Sequence, residues 1–327
     1  MLLSNMKYAY RILVVFLLVQ LGIGKELVFA QKLDSSFAYM ADPTMFYENG
    51  VYYLSGTYDV DSKSGIRIYY SKSIHSFSKP KTVLALKKGD AYGTSGFWAP
   101  QILKSHKEYS MLYVANEHIA IAHSSNILGP YKGLNIPLIQ DRKSIDPYVF
   151  EDDDGSKYLF HVEFSGGNKI YVARLKEDLS AIVPASDSLC LSAEEAWETK
   201  MDKVVEGPTV FKHGGWYYLL YSANHFKSKH YAVGYAVSKT INGPWLKYKG
   251  NPVLSLEGTN ASGSGHGDIV SGKSHNLYYV FHTHNSDTLI GPRKTAITKI
   301  YFKRSKEKGP DELYMDQKNF HYLKMNQ

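Results

Sequence analysis

An all-β fold, a β-propeller of five four-stranded antiparallel blades, is what the sequence predicts. Three features carry that expectation: one hairpin pattern repeated five times, the near-regular spacing of the copies, and an aromatic content dominated by 27 Tyr and 14 Phe. Long-period repeats mark solenoids and propellers, and Tyr and Phe favour strands. The copies are ADPTMFYENGVYYLSGTY at 41–58, WAPQILKSHKEYSMLYVAN at 98–116, IDPYVFEDDDGSKYLFHVEF at 145–164, VEGPTVFKHGGWYYLLYSAN at 205–224 and GHGDIVSGKSHNLYYVFHTHN at 265–285.

Each copy opens on a tight polar segment with Pro43, Pro100, Pro147 or Pro208, Asp268 standing in that place in the fifth. A short apolar strand follows. Turns such as Glu48-Asn49-Gly50, Asp153-Asp154-Gly155 and His213-Gly214-Gly215 then signal hairpins. The returning strands are aromatic at or near alternate positions, as in 51–58, 217–221 and 277–281. Third strands are expected at 66–71, 119–124, 169–175 and 231–238, with an outer strand after each. The anchors stand 57, 47, 61 and 60 residues apart, the length a four-stranded blade needs. After residue 305 only a short polar tail is expected.

Composition narrows the class. Hydrophobic residues at 44% and charged residues at 21% describe an ordered globular chain. The net charge is +7, of which Lys7, Arg11, Lys25 and Glu26 contribute +2. The remaining cations are scattered, so no nucleic-acid partner is expected. Residues 1–30 read as a cleavable export signal: Lys7 and Arg11, an apolar run from Ile12 to Leu21, then small residues to a cut near Ala30. The run is short for a membrane span, and no transmembrane segment is expected in the mature chain. A single domain over 31–327, secreted or periplasmic, follows. Its lone Cys190 permits no internal disulfide and is expected to pack as a small hydrophobe.

In a propeller the innermost strands begin at one end of a central channel, so residues at their starts converge. Those positions hold Asp42, Trp98-Ala99, Asp146, Glu206 and His266. One Asp-Pro is an ordinary turn. Three acids at what reads as one phase are harder to explain that way, because converging carboxylates repel and at least one pKa must rise. Glycosidic hydrolysis needs such a split pair, one group to protonate the leaving oxygen and another to activate water.

With these motifs the chain resembles glycoside hydrolase family 43, over roughly residues 38–300. The resemblance implies an inverting enzyme. It assigns Asp42 as general base, Glu206 as general acid and Asp146 as the residue that orients Glu206 and raises its pKa. It also implies that Trp98, with Phe97 beside it, lines the sugar pocket, and that Arg293 in Gly291-Pro292-Arg293 holds sugar hydroxyls or an acid. His266 matches a histidine near a central metal, so a structural calcium ion, held through waters, is a candidate; no cofactor is expected for the chemistry. The acidic turn 151–155 lacks EF-hand spacing and reads as a solvated turn. His282 and His284 stay outside the assignment, although one of them is expected to reach the channel. Retaining fructosidases of related fold fit less well, since the middle motif is Ile145-Asp146-Pro147 and Glu206 is followed by Gly207. A carbohydrate-binding propeller without catalysis has no use for three convergent acids. The expected substrates are arabinan, arabinoxylan or xylan. Exo action from a compact pocket is expected, α-L-arabinofuranosyl ahead of β-D-xylosyl, with endo-arabinanase and exo-galactanase as alternatives.

Overall fold

A computed structural model describes residues 33–79, 84–105, 107–273, 276–306 and 308–326. The predicted export signal and its cut at Ala30 lie outside the described residues, within whose helices no segment is long and apolar enough to cross a membrane.

Five antiparallel blades follow one another along the chain. Their innermost strands are Ala41–Glu48, Trp98–Ser105, Ser144–Glu151, Val205–His213 and Gly265–Ser271, and each pairs with the strand that follows it. The third strands, Gly65–Ser71, His118–Ser124, Asn168–Arg174 and Ala232–Ser238, fall within a residue of their expected starts and ends. Blades 1, 3 and 4 carry four strands. Blade 2 has three among the described residues, with a lone bridge from His123 to Lys132 in the outer place.

Period two explains why the strands are apolar throughout. In Trp216–Ala223, Tyr218 and Leu220 pack towards blade 5 while Leu219, Tyr221 and Ala223 pack towards blade 3. Successive side chains point to opposite faces, and here both faces are covered, so the strand reads as a continuous apolar run. Five such clusters occur among the described residues, one at each blade–blade interface, including blade 5 against blade 1. Cys190 is half-buried against the interface of blades 3 and 4.

The chain end departs from expectation, because the residues after 305 are not a loose tail. Glu312–Met315 pairs with Lys294–Lys303 as an outer strand of blade 5, and His321–Tyr322 pairs with Ala296 and Ile297. Lys324–Met325 then runs parallel to Ser76–Phe77 of blade 1. Leu313, Met315, Leu323 and Met325 are buried, so alternate residues of these short strands seal the two interfaces of blade 5. The acidic turn 151–155 is a hairpin turn as expected, tied to blade 4 by Lys212 and by Tyr217, whose hydroxyl donates to Asp152 at 2.6 Å.

Candidate active site

Every innermost strand carries one extra residue near its start. The register slips between Ala41 and Thr44, Trp98 and Gln101, Ile145 and Tyr148, Glu206 and Thr209, and Gly265 and Gly267. Within each bulge one residue takes a positive φ: Asp42 (47°), Ala99 (40°), Asp146 (55°), Gly207 (58°) and His266 (39°). Bulges bend a strand and re-aim its side chains. Here five of them turn the strand starts towards a cavity of about 1140 Å³. Gly207 needs its missing side chain, since a Cβ there would lie 2.7 Å from the His266 ring.

The bulges correct the reading of phase. Asp42 and Asp146 are equivalent, but Glu206 sits one residue earlier, in the place of Ala41, Trp98, Ile145 and Gly265. All three acids nevertheless line the same cavity, with Trp98, His266 and Arg293. Phe97 does not. It is 1% exposed, in the core between blades 1 and 2, stacked on Tyr113 at 6.0 Å. Its neighbour Trp98, the first residue of the strand, faces the cavity.

Asp42 is held as an anion. Its Oδ1 accepts from Arg293 Nη1 at 3.0 Å and its Oδ2 from Thr57 Oγ1 at 2.6 Å. Burial alone would raise its pKa, but the charge of Arg293, with smaller contributions from the neighbouring His266 and His282 and the Thr57 bond, holds it well below the usual carboxylate range. Arg293 is itself fixed by Asp59, which accepts from its backbone N–H (2.9 Å), Nε (2.9 Å) and Nη2 (2.8 Å).

Glu206 is the opposite case. Burial, then the charge of Asp146, push its pKa up to about 7. Asp146 is also raised, by burial and by the charge of Asp42. The charge of Asp146 acts on Glu206 more strongly than that of Asp42 does. Asp146 Oδ2 also accepts the Gly207 N–H at 3.0 Å, which fixes the backbone next to Glu206. Tyr231 donates its hydroxyl to Glu206 Oε1 at 2.8 Å, and Asn168 donates Nδ2 to Oε2 at 3.0 Å.

Thr57, Asp59, Asn168 and Tyr231 are supports that the sequence reading missed, and His282 is the histidine expected to reach the channel that it left unassigned. His282 Nδ1 accepts the Asp42 N–H at 3.1 Å, and its ring stacks on Tyr231 at 5.8 Å. The ring reaches the acids from below, whereas His284 is bonded to the Phe226 carbonyl at 2.8 Å. A signal for some of them existed. The partners across from the residue before each bulge are Thr57, Val114, Val162, Ser222 and His282. Polar residues at that otherwise apolar phase mark blades 1, 4 and 5.

Glycosyl hydrolases family 43 matches this chain over residues 38–306. The chain belongs to that family. It is a glycoside hydrolase, and the five blades are those the sequence predicts. A beta-D-galactofuranosidase of Aspergillus niger is 27% identical over 290 residues, 82% of this chain and 81% of that one. An extracellular endo-alpha-(1->5)-L-arabinanase of Bacillus subtilis is 27% identical over 258 residues, 71% of this chain and 77% of its own. Among solved structures, an endo-1,4-beta-xylanase of Bacteroides thetaiotaomicron superposes with a TM-score of 0.83 at 35% identity, covering 90% of this chain and 100% of that one.

A metal held directly by His266 is not favoured by the residues around it. Beneath the acids lies a void of about 30 Å³ lined by Thr44, Gln101, Thr209, His266 and Asp268, among others. Thr44 donates to Asp268 (2.6 Å), Gln101 bonds both backbone groups of Val149, and Thr209 donates to the Gly267 carbonyl (2.8 Å). An imidazole nitrogen is a poor donor for calcium, which takes oxygen. Among the described residues, His161, Glu163 and Asp187 are close enough to share an ion. Arg142 already bridges that cluster, at 2.6 Å from Glu163 and 2.5 Å from Asp187.

Proposed function

We propose that the enzyme hydrolyses pentose-containing plant glycan with inversion, Asp42 acting as general base and Glu206 as general acid. The observation that carries this reading is the split between two carboxyl groups of one cavity, Asp42 held far down and Glu206 held near 7. Glu206, protonated below that range, gives its proton to the glycosidic oxygen as the bond to the anomeric carbon breaks. Asp42 takes a proton from a water attacking the opposite face of that carbon. Asp146, itself raised to about 7, shares the titration with Glu206 so that one proton is retained by the pair, and it fixes the backbone beside it. An inverting pair stands about 6.5–9.5 Å apart to leave room for the water.

The substrate class rests on what the family's relatives act on, which include arabinan and xylan by name. The expected compact pocket is not what the structure has, since about 1140 Å³ exceeds the roughly 300–1,000 Å³ of ordinary small-ligand sites. We retain release of a terminal pentose and assign the extra room to the rest of the chain. A structural calcium ion held by His266 through waters stays a separate proposal. Proton NMR of the first product, on α-L-arabinofuranosides and β-D-xylosides, tests the reading. The inverted anomer is expected, and a retained one rules the mechanism out.

A further inference from the structure

The wall of the cavity is closed on one side and open on the other. Four of its residues are exposed: Phe164, Gly166, Asp202 and Lys203. All four belong to the second hairpin of blade 3 or to the lead-in to the first strand of blade 4. The groups around Asp42, namely Thr57, Asp59, Phe226 and Arg293, are buried or half-buried.

The blade 3 hairpin is tied to the acid. Phe164 pairs with Asn168 across the turn, and Asn168 donates to Glu206 at 3.0 Å. Asn168 is also pinned to the neighbouring segment, its N–H donating to the Lys203 carbonyl at 3.0 Å beside a bridge to Val204. Gly167 permits this approach, because a Cβ there would sit 2.3 Å from the Lys203 carbonyl oxygen. A large apolar ring, 46% exposed, is thus carried on a fixed hairpin next to the proton donor.

The proton donor fixes direction. It must lie beside the glycosidic oxygen, so the sugar that departs lies on its side and the sugar that is attacked lies towards Asp42. We infer that Phe164 is the platform on which the departing sugar stacks, so that the enzyme selects substrates by their leaving-group side. This rests on the reading of Asp42 and Glu206 given above. A flat aromatic face covers the apolar face of a sugar ring, as aromatic side chains commonly do for flat ligands.

The test compares Phe164→Ala and Phe164→Tyr with the wild type on β-D-xylosyl and α-L-arabinofuranosyl fluorides, and on the corresponding trisaccharides. Fluoride leaves as a single atom with no face to stack. The Ala variant is expected to lose about tenfold in kcat/KM on the trisaccharides, mainly through KM. On the fluorides it should match the wild type, and the Tyr variant should match it on both. Trisaccharide hydrolysis unchanged in the Ala variant overturns the platform, and so does an equal loss on both substrate classes. A wild type that cleaves neither pentosyl series overturns the pentosidase reading, and the platform with it. A wild type that cleaves them while the Ala variant is unaffected overturns the platform alone.

Discussion

Replacing Asp146 by Asn should move the alkaline limb of activity to lower pH. Asp146 affects Glu206 in two ways, as a negative charge that raises its pKa and as the acceptor of the Gly207 N–H. The Asn variant removes the charge and keeps an acceptor. A catalytic acid must be protonated, so activity falls as pH rises through its pKa. In the wild type the two coupled groups share that titration, with Glu206 near 7. A like charge raises a neighbouring carboxyl, so its loss should bring the limb down by about one unit, to about 6. At pH 7 the protonated fraction of Glu206 then falls from about a half to about a tenth, a loss of roughly fivefold, while at pH 5 little changes. Asp146→Ala also frees Gly207 and should add a pH-independent loss of about a hundredfold from misplacing the acid. The assay is kcat/KM against pH on one pentoside. An Asn variant whose limb stays in place or moves upward refutes the reasoning.

Three other outcomes follow from the same geometry. Glu206→Gln should cost roughly 10²–10⁴ on natural glycans but much less on substrates with good leaving groups, whereas Asp42→Asn should fail on both; near-normal turnover of polysaccharide by either variant contradicts the roles. Leu323→Ala should cost about 2–5 kcal/mol, because Leu323 is fully buried where the chain end meets blade 1; a thermal midpoint unchanged within a degree shows that this closure adds nothing. Chelator should leave kcat unchanged if the void under the acids holds no ion, and a loss restored by calcium in the wild type but not in His266→Ala would support the water-held site at His266.

The blades were readable because each repeat writes its own hairpin, with a turn signal and an apolar strand on each side. What escaped the sequence is where a single residue of offset matters. Glu206 stands two residues before its Pro and Asp42 one before its own, so the apparent phase match of three acids was a match of two. Phe97 is expected in the pocket because it adjoins Trp98, but it precedes the strand and packs into the core between blades 1 and 2 against Tyr113. The closing strands at 312–315 and 324–325 are too short to show a period, and half of their residues are exposed. The size of the cavity depends on the hairpin from Phe164 to Asn168, whose docking on the Lys203 carbonyl is a tertiary fact.

The chemistry itself comes from breaking a fivefold backbone pattern. Asp42 and Asp146 occupy the same bulge position with nearly the same φ, yet their pKa values move in opposite directions. Burial raises both, so the difference lies in the neighbours. Asp42 has Arg293 at 3.0 Å, with His266 and His282 each at 3.4 Å. Asp146 has the Gly207 N–H, and the charge of Asp42 against it. On the proposed assignment, Arg293 therefore decides which of the two is the base. Arg293→Met should let burial prevail at Asp42 and raise its pKa, and a base must be ionised to act. An acid limb, absent from the wild type over the usual carboxylate range, should then appear, with activity falling as pH drops through the raised value. Arg293→Lys keeps the charge and loses the forked contact with Asp59, so its turnover should fall without that limb. If the Met variant shows a lower plateau and no new acid limb, the charge of Arg293 is not what keeps Asp42 ionised.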